Sequence, residues 1–202
     1  MITIESHIKA LIFDCDGTLA DTMPLHYLTW RYTTRANGGD FPEDVFYNIG
    51  GMPSEKIVEL LNEKYGYSMD PNQVAEDKEA MFYDRYINQV QPIEPVLAIA
   101  KAYHGRLPLA VATGGIPKVA TKILRTIGAW ELFETIVTSH DVTHGKPAPD
   151  TYLEAARRLN VPPTMCHAFE DTDLGIQSAE QAGMTVTDVR KILKNGQGFG
   201  IK

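Results

Sequence analysis

The chain has 202 residues, 44% hydrophobic and 22% charged, enough to bury a full core as one domain with an insertion or as two small domains. A formal net charge of -7 argues against nucleic acid or an anionic membrane surface as a partner, so any phosphate site must be locally positive within an acidic body. Met1 to His7 carry no basic-apolar leader, and no apolar run nears the roughly 18 residues of a membrane span, so the expected location is cytoplasmic.

The first predicted element is a strand over Ile8 to Phe13, which ends abruptly in Asp14-Cys15-Asp16-Gly17-Thr18. Residues i and i+2 of an extended chain point to the same side, so both carboxyl groups leave the strand end together. Two carboxylates this close stay ionised only beside a cation, and a divalent metal is the simplest one. Gly17 and Thr18 suit a tight turn around an anion, because glycine lets backbone N–H groups approach it. Asp-x-Asp-Gly also opens calcium loops. Here Thr18, Ala20 and Thr22 fill the later ligand positions, and Leu25 stands where the closing glutamate belongs.

A helix is predicted from Pro24 to Ala36, stopped by Asn37-Gly38-Gly39. Residues 42 to 90 then read as helical throughout, broken at Gly50-Gly51, and Gln91 to Pro95 reads as a return hinge. From residue 96 helices and short apolar strands alternate. Strands are predicted over Leu107–Ala112, Phe133–Thr138, Cys166–Phe169 and Met184–Val189. Helices are predicted over Val96–Tyr103, Ile116–Ile127, Pro149–Leu159 and Leu174–Ala182. Such alternation predicts an α/β fold: a Rossmann-like parallel sheet with helices on both faces and right-handed crossovers. Residues 190 to 202, glycine-rich and basic, read as a frayed tail. Cys15 and Cys166 lie in apolar surroundings with no paired base and read as reduced packing residues.

Ligands of parallel sheets gather at the carboxyl ends of the strands. There the sequence places Asp14 and Asp16, then Thr113-Gly114-Gly115, then His140-Asp141 and Lys146, then Glu170-Asp171. Singly, Thr113 is an ordinary helix cap, Lys146 a loop cation and Glu170-Asp171 a helix-start acidic pair. Together, at one edge of one sheet, they point to phosphoryl chemistry. A metal pair of His140 and His144 is opposed by Gly145 and Pro147, which break the helix that an i, i+4 pair requires.

These motifs, in this order and spacing, resemble the haloacid dehalogenase superfamily of phosphotransferases over essentially the whole chain. Its motifs stand as Asp14 to Thr18, Thr113-Gly114, Lys146 to Asp150, and Glu170-Asp171 followed by Gly175. The resemblance implies a core of residues 1–20 and 91–202, with residues 21–90 as a small all-helical cap inserted after the first strand. Asp21-Thr22, His26 and Trp30 resemble the branch of beta-phosphoglucomutase and bacterial sugar-phosphate phosphatases. The runs His144 to Tyr152 and Phe169 to Gln177 look closest to the fructose-1-phosphate type.

On that basis Asp14 is expected as the nucleophile and Asp16 as the general acid and base. Mg2+ is expected on Asp14, the Asp16 carbonyl and Asp171, with Glu170 assisting. Lys146 is expected to bridge phosphate and Asp14, and Thr113 and Gly114 to hold phosphate oxygens beside Gly17 and Thr18. His26 is expected to touch the sugar or the transferring group, and Gly50-Gly51 to form the substrate-facing loop of the cap. Asp16 argues against carbon-halogen cleavage, which needs no protonated leaving oxygen. The mutases carry a cap arginine just beyond the glycine loop, where this chain has Ser54-Glu55-Lys56, so hydrolysis of a sugar monophosphate is favoured. A phosphohexomutase using Lys56 or Lys78 in place of the arginine stays open, as does a non-catalytic sugar-phosphate sensor. The expected partner is a small-molecule sugar phosphate, and the expected assembly a monomer or weak homo-oligomer.

Overall fold

The computed structural model describes residues 4–49 and 52–194. In chain order the strands are β1 (Ala10–Phe13), β2 (Ala20–Asp21), β3 (Gln91–Pro92), β4 (Leu109–Ala112), β5 (Thr135–Val137), β6 (Cys166–Glu170) and β7 (Thr185–Asp188). The helices are α1 (Met23–Ala36), α2 (Glu43–Asn48), α3 (Ser54–Tyr65), α4 (Pro71–Met81), α5 (Glu94–Tyr103), α6 (Pro117–Thr126), α7 (Asp150–Leu159), α8 (Asp173–Gln181) and α9 (Val189–Lys194). Five strands form a parallel sheet in the order β5-β4-β1-β6-β7, as the alternating pattern predicts. None of the described helices is long and apolar enough to cross a membrane.

Strand alternation divides the core into two faces. Leu11, Phe13, Leu109, Val111 and Phe169 pack on one face, against α5 and α6. Ala10, Ile12, Ala110, Ala112 and Ala168 pack on the other, under Tyr152 and Ala155 of α7. The alanines matter there: their short side chains leave room for Tyr152, which is fully buried. Cys15 and Cys166 are free and buried, one in each cluster, and burial pushes both thiols up, Cys166 to about 11.

The segment from Met23 to Gln89 is helical and packs around a cluster of its own, built on Trp30, Phe41, Phe46, Val58 and Leu61. Its helix ends follow local rules: Asp70 caps α4 by accepting from Asn72 N and Gln73 N, and Gly66 closes α3 in the left-handed conformation. The return hinge is a two-residue ribbon in which β2 and β3 pair antiparallel, Ala20 with Pro92 and Asp21 with Gln91. Two residues are too few to leave a period in the sequence. Three other boundaries move. A turn from Tyr103 to Leu107 precedes β4, and a 3-10 turn over Trp130–Leu132 precedes β5, which shortens both strands. At the C-terminal side, α9 replaces the first part of the expected tail, with Arg190 tied to Asp188 and Asp173. Residues 195–202 of that tail lie outside the described residues.

Candidate active site

The carboxyl edge of the sheet collects the polar residues. Asp14 N donates to Phe169 O at 3.0 Å, extending the β1–β6 ladder by one residue and setting Asp14 beside Glu170. The chain then turns tightly, with Leu19 N and Ala20 N both donating to Cys15 O. Gly17 has φ +82°, and a Cβ there would overlap the Asp171 carboxylate. The turn brings Thr18 Oγ1 within 2.9 Å of Asp171 Oδ1, to which it donates. Glycine is therefore required here by both backbone conformation and close approach.

Lys146 is the buried cation of this edge. Its Nζ donates to Asp14 Oδ1 at 2.7 Å, to Glu170 Oε1 at 2.6 Å and to Ala112 O at 3.0 Å, which uses all three ammonium hydrogens. Glu170, 1% exposed, is equally committed. Its Oε1 also accepts from Tyr152 Oη at 3.2 Å, and its Oε2 accepts from Asp171 N, Thr172 N and Thr172 Oγ1. It thus orients Lys146 and fastens the start of α8. Gly175 packs so closely on Glu170 that any side chain there would collide with the carboxylate.

Asp14, Glu170 and Asp171 each present a carboxylate oxygen within 4.8 Å of the others. Burial, together with the Glu170 and Asp16 charges, outweighs Lys146 and pushes the Asp14 carboxyl up to about 7. Burial and the same crowding by Glu170 and Asp14 raise Asp171 well above the carboxylate range. Converging hard oxygen donors that cannot all ionise comfortably are what a divalent cation relieves, so the set fits one. His140 and His144 belong to no such group among the described residues; His144 pairs with Asp150 instead.

The Asp16 side chain turns away from that group. Its Oδ1 lies 3.0 Å from His26 Nε2. His26 stacks on Phe82 at 4.0 Å between ring centroids. Burial and the nearby Lys78 charge lower the His26 pKa, so the ring is neutral and donates through Nε2–H to Asp16. Its buried Nδ1 has no partner among the described residues. Burial would raise Asp16, but the His26 hydrogen bond and the Lys78 charge outweigh it and hold the carboxyl below the usual range. Thr113 Oγ1 accepts from Gly115 N at 3.0 Å, and Thr113, Gly114 and Lys146 all line a cavity of about 130 Å³ with Asp14 and Asp16.

The structure brings Asp14, Asp16, Thr113, Gly114, Lys146, Glu170 and His26 to one cavity, whereas Gly17 and Asp171 line a second cavity of about 560 Å³ and Thr18 is bonded to Asp171. His26 reaches Asp16 rather than standing alone on the helix surface. Gly50 and Gly51 lie outside the described residues. Lys56 projects into solvent and pairs with Glu59, whereas Lys78 is buried against Glu79. Sequence reasoning passed over Tyr152, Glu79 and Ser54. The weak signal for Tyr152 was its place on the apolar stripe of α7, and nothing local marks the other two.

Fold and site together define an α/β protein with a cluster of buried carboxylates and a lysine at the carboxyl edge of a parallel sheet. Residues 11–189 match the family described as haloacid dehalogenase-like hydrolase, and the chain belongs to that family. It is 38% identical over 180 residues to the fructose-1-phosphate phosphatase YqaB of Escherichia coli, covering 89% of this chain and 95% of that protein. It is 31% identical to a phosphorylated carbohydrates phosphatase of Thermotoga maritima, over 88% of this chain and 82% of the relative. Among solved structures, beta-phosphoglucomutase of Clostridium difficile superposes with a TM-score of 0.73 at 26% identity, covering 92% of this chain and 87% of that one.

Proposed function

We propose that the chain hydrolyses a sugar monophosphate through a phosphoryl group carried on Asp14. Residues 21–90 act as a cap over a core of residues 1–20 and 91–202. The observation that carries this reading is the buried Lys146, 2.7 Å from Asp14, beside three converging carboxylates. A nucleophilic carboxylate must face an incoming dianion, and this arrangement supplies one positive side chain and a cation site for that purpose.

In the first step an Asp14 oxygen attacks phosphorus, the bond from phosphorus to the sugar oxygen breaks, and protonated Asp16 gives its proton to that oxygen. In the second, Asp16 takes a proton from water as the water oxygen attacks phosphorus. The bond to Asp14 breaks, releasing inorganic phosphate. Asp16 is ionised in the free enzyme, and the negative charge of a bound phosphate raises its pKa toward the acid form. Thr113 Oγ and the Gly114 N–H hold phosphate oxygens and the Lys146 ammonium, beside Asp14, supplies the positive charge they face, while Glu170 and Tyr152 keep Lys146 in place. Asp14, the Asp16 carbonyl and Asp171, with Glu170 assisting, would hold magnesium, which would supply charge neutralisation for attack by a carboxylate on a phosphate.

Hydrolysis rather than a mutase reaction is supported by the helical side of the cavity. A mutase must grip a second phosphate there. The lysine beyond the glycine pair, Lys56, is 64% exposed and paired with Glu59, and Lys78 is paired with Glu79. The test is Asp14→Asn assayed for phosphate release from sugar monophosphates. Turnover is expected to fall by about 10⁴-fold or more with folding retained. Near-normal activity in that variant rules the reading out.

A further inference from the structure

The helical side of the cavity is mostly hydrocarbon: Met23, Trp30, Phe46, Ile49, Met52 and Ile57 line it. Apart from His26, which is bound to Asp16, its polar groups among the described residues are Ser54, Lys78 and Glu79. Glu79 Oε1 accepts from Lys78 Nζ at 2.8 Å and from Ser54 Oγ at 3.3 Å. Its second oxygen, Oε2, accepts no hydrogen bond among the described residues. The Lys78 ammonium is committed in turn, to Glu79 and to the faces of Trp30 and Phe82 at 5.5 and 5.8 Å. Burial would raise the Glu79 carboxyl, but the Lys78 charge outweighs it, so Glu79 stays ionised.

Glu79 also stands at a junction. Outside the inner cavity runs a groove of about 640 Å³ lined by Glu55, Glu76, Tyr83, Lys118 and His140. The groove shares Ser54, Glu79, Gly114, Gly115, Val119 and Lys146 with the inner cavity. A phosphate ester seated with its phosphate at Lys146 therefore carries the rest of its body past Glu79. A half-satisfied carboxylate at that point accepts hydrogen bonds from hydroxyls and repels anions.

We infer that Glu79 is a specificity-determining residue: its free oxygen receives the hydroxyls of an uncharged polyol body and turns away esters whose far end carries a second phosphate or a carboxylate. This rests on the reading of the site given above and adds to it which substrates pass. Lys78 holds the carboxylate in place, and Ser54 fixes which of its oxygens stays open. Specificity arises from an attraction and a repulsion at one atom.

The experiment compares the unmodified enzyme on three esters: a hexose monophosphate, n-hexyl phosphate and a hexose bisphosphate. The monophosphate is expected to exceed each of the others in kcat/KM by roughly tenfold or more, the usual consequence of one hydrogen bond to a charged group. In Glu79→Gln, KM for the hexose monophosphate rises more than kcat falls, and the preference over the bisphosphate narrows by roughly tenfold. If the unmodified enzyme cleaves hexyl phosphate or the bisphosphate as well as the monophosphate, the inference is overturned. The same follows if Glu79→Gln, folded by circular dichroism, keeps the original preference. Should the variant not fold, the three-ester ranking decides alone. Absence of turnover on every ester, p-nitrophenyl phosphate included, overturns the reading of the site and the inference with it. Turnover without the ranking overturns the inference only.

Discussion

The two walls of the cavity are built in opposite ways. On the sheet side Lys146 and Glu170 have every donor and acceptor engaged, and the backbone itself is held by the β1–β6 ladder and the Gly17 turn. On the helical side hydrophobic side chains surround one ion pair, and among the described residues Glu79 Oε2 and His26 Nδ1 accept no hydrogen bond. A closed network fixes one geometry and therefore suits the reaction, which is the same for every phosphate ester. An apolar wall with a few open acceptors suits selection, because small changes there alter what fits without disturbing the reacting groups.

The sharpest way to break this contrast is to remove the centre of the closed network. Lys146→Met leaves Asp14 and Glu170 buried without their cation. It is expected to cost about 3–5 kcal/mol of stability, read by urea denaturation, together with nearly all activity. A mild effect would mean that the sheet-side network is not closed.

A second measurement uses pH on metal-free protein. Asp14 titrates near 3.8 when unfolded and at about 7 when folded, so between those values the folded state binds more protons. Stability contributed by this group is therefore full below about pH 4 and is lost as pH rises through about 7. Asp14→Asn lacks the loss, so its stability relative to the parent should grow over that window, and adding magnesium should close the gap by binding the ionised form of the parent. A gap independent of pH would show that Asp14 is not crowded.

On the helical wall, His26→Asn tests a positioning residue. Without the His26 hydrogen bond the Asp16 pKa rises, so the limb of the kcat/KM profile set by Asp16 moves to higher pH. The accompanying loss in kcat/KM is expected to be about 10- to 100-fold. An unmoved profile would assign His26 to packing alone. The smallest effect is expected from Lys56→Ala, since that side chain leaves the cavity for Glu59. Stability should change within about 0.5 kcal/mol and the kinetic constants not at all.

How much of this was legible beforehand differs between the same two walls. The sheet-side residues could be read because each follows an apolar run of strand length, and in a parallel sheet that position alone sends them to one edge. Asp14, Asp16, Lys146 and Asp171 were found this way. The bounds of α1 were legible from Pro24 and Asn37-Gly38-Gly39, whereas residues 42 to 90 were read only as helical with a break at Gly50-Gly51, without the separate bounds of α2, α3 and α4. Gly17 was read as freedom to bind an anion, whereas the fold also needs it to admit the Asp171 carboxylate.

The sequence by itself determined the α/β alternation, the order of the strand-end acids and the helical insertion. All of these depend on neighbours along the chain. Only the tertiary structure decided that Glu170 is a fully engaged clamp on Lys146, that His26 meets Asp16, and that Glu79 rather than Lys56 lines the cavity. Those choices depend on which turn of α1 faces which turn of α4 and on how deeply each carboxylate is buried. Packing between segments far apart in the chain sets both.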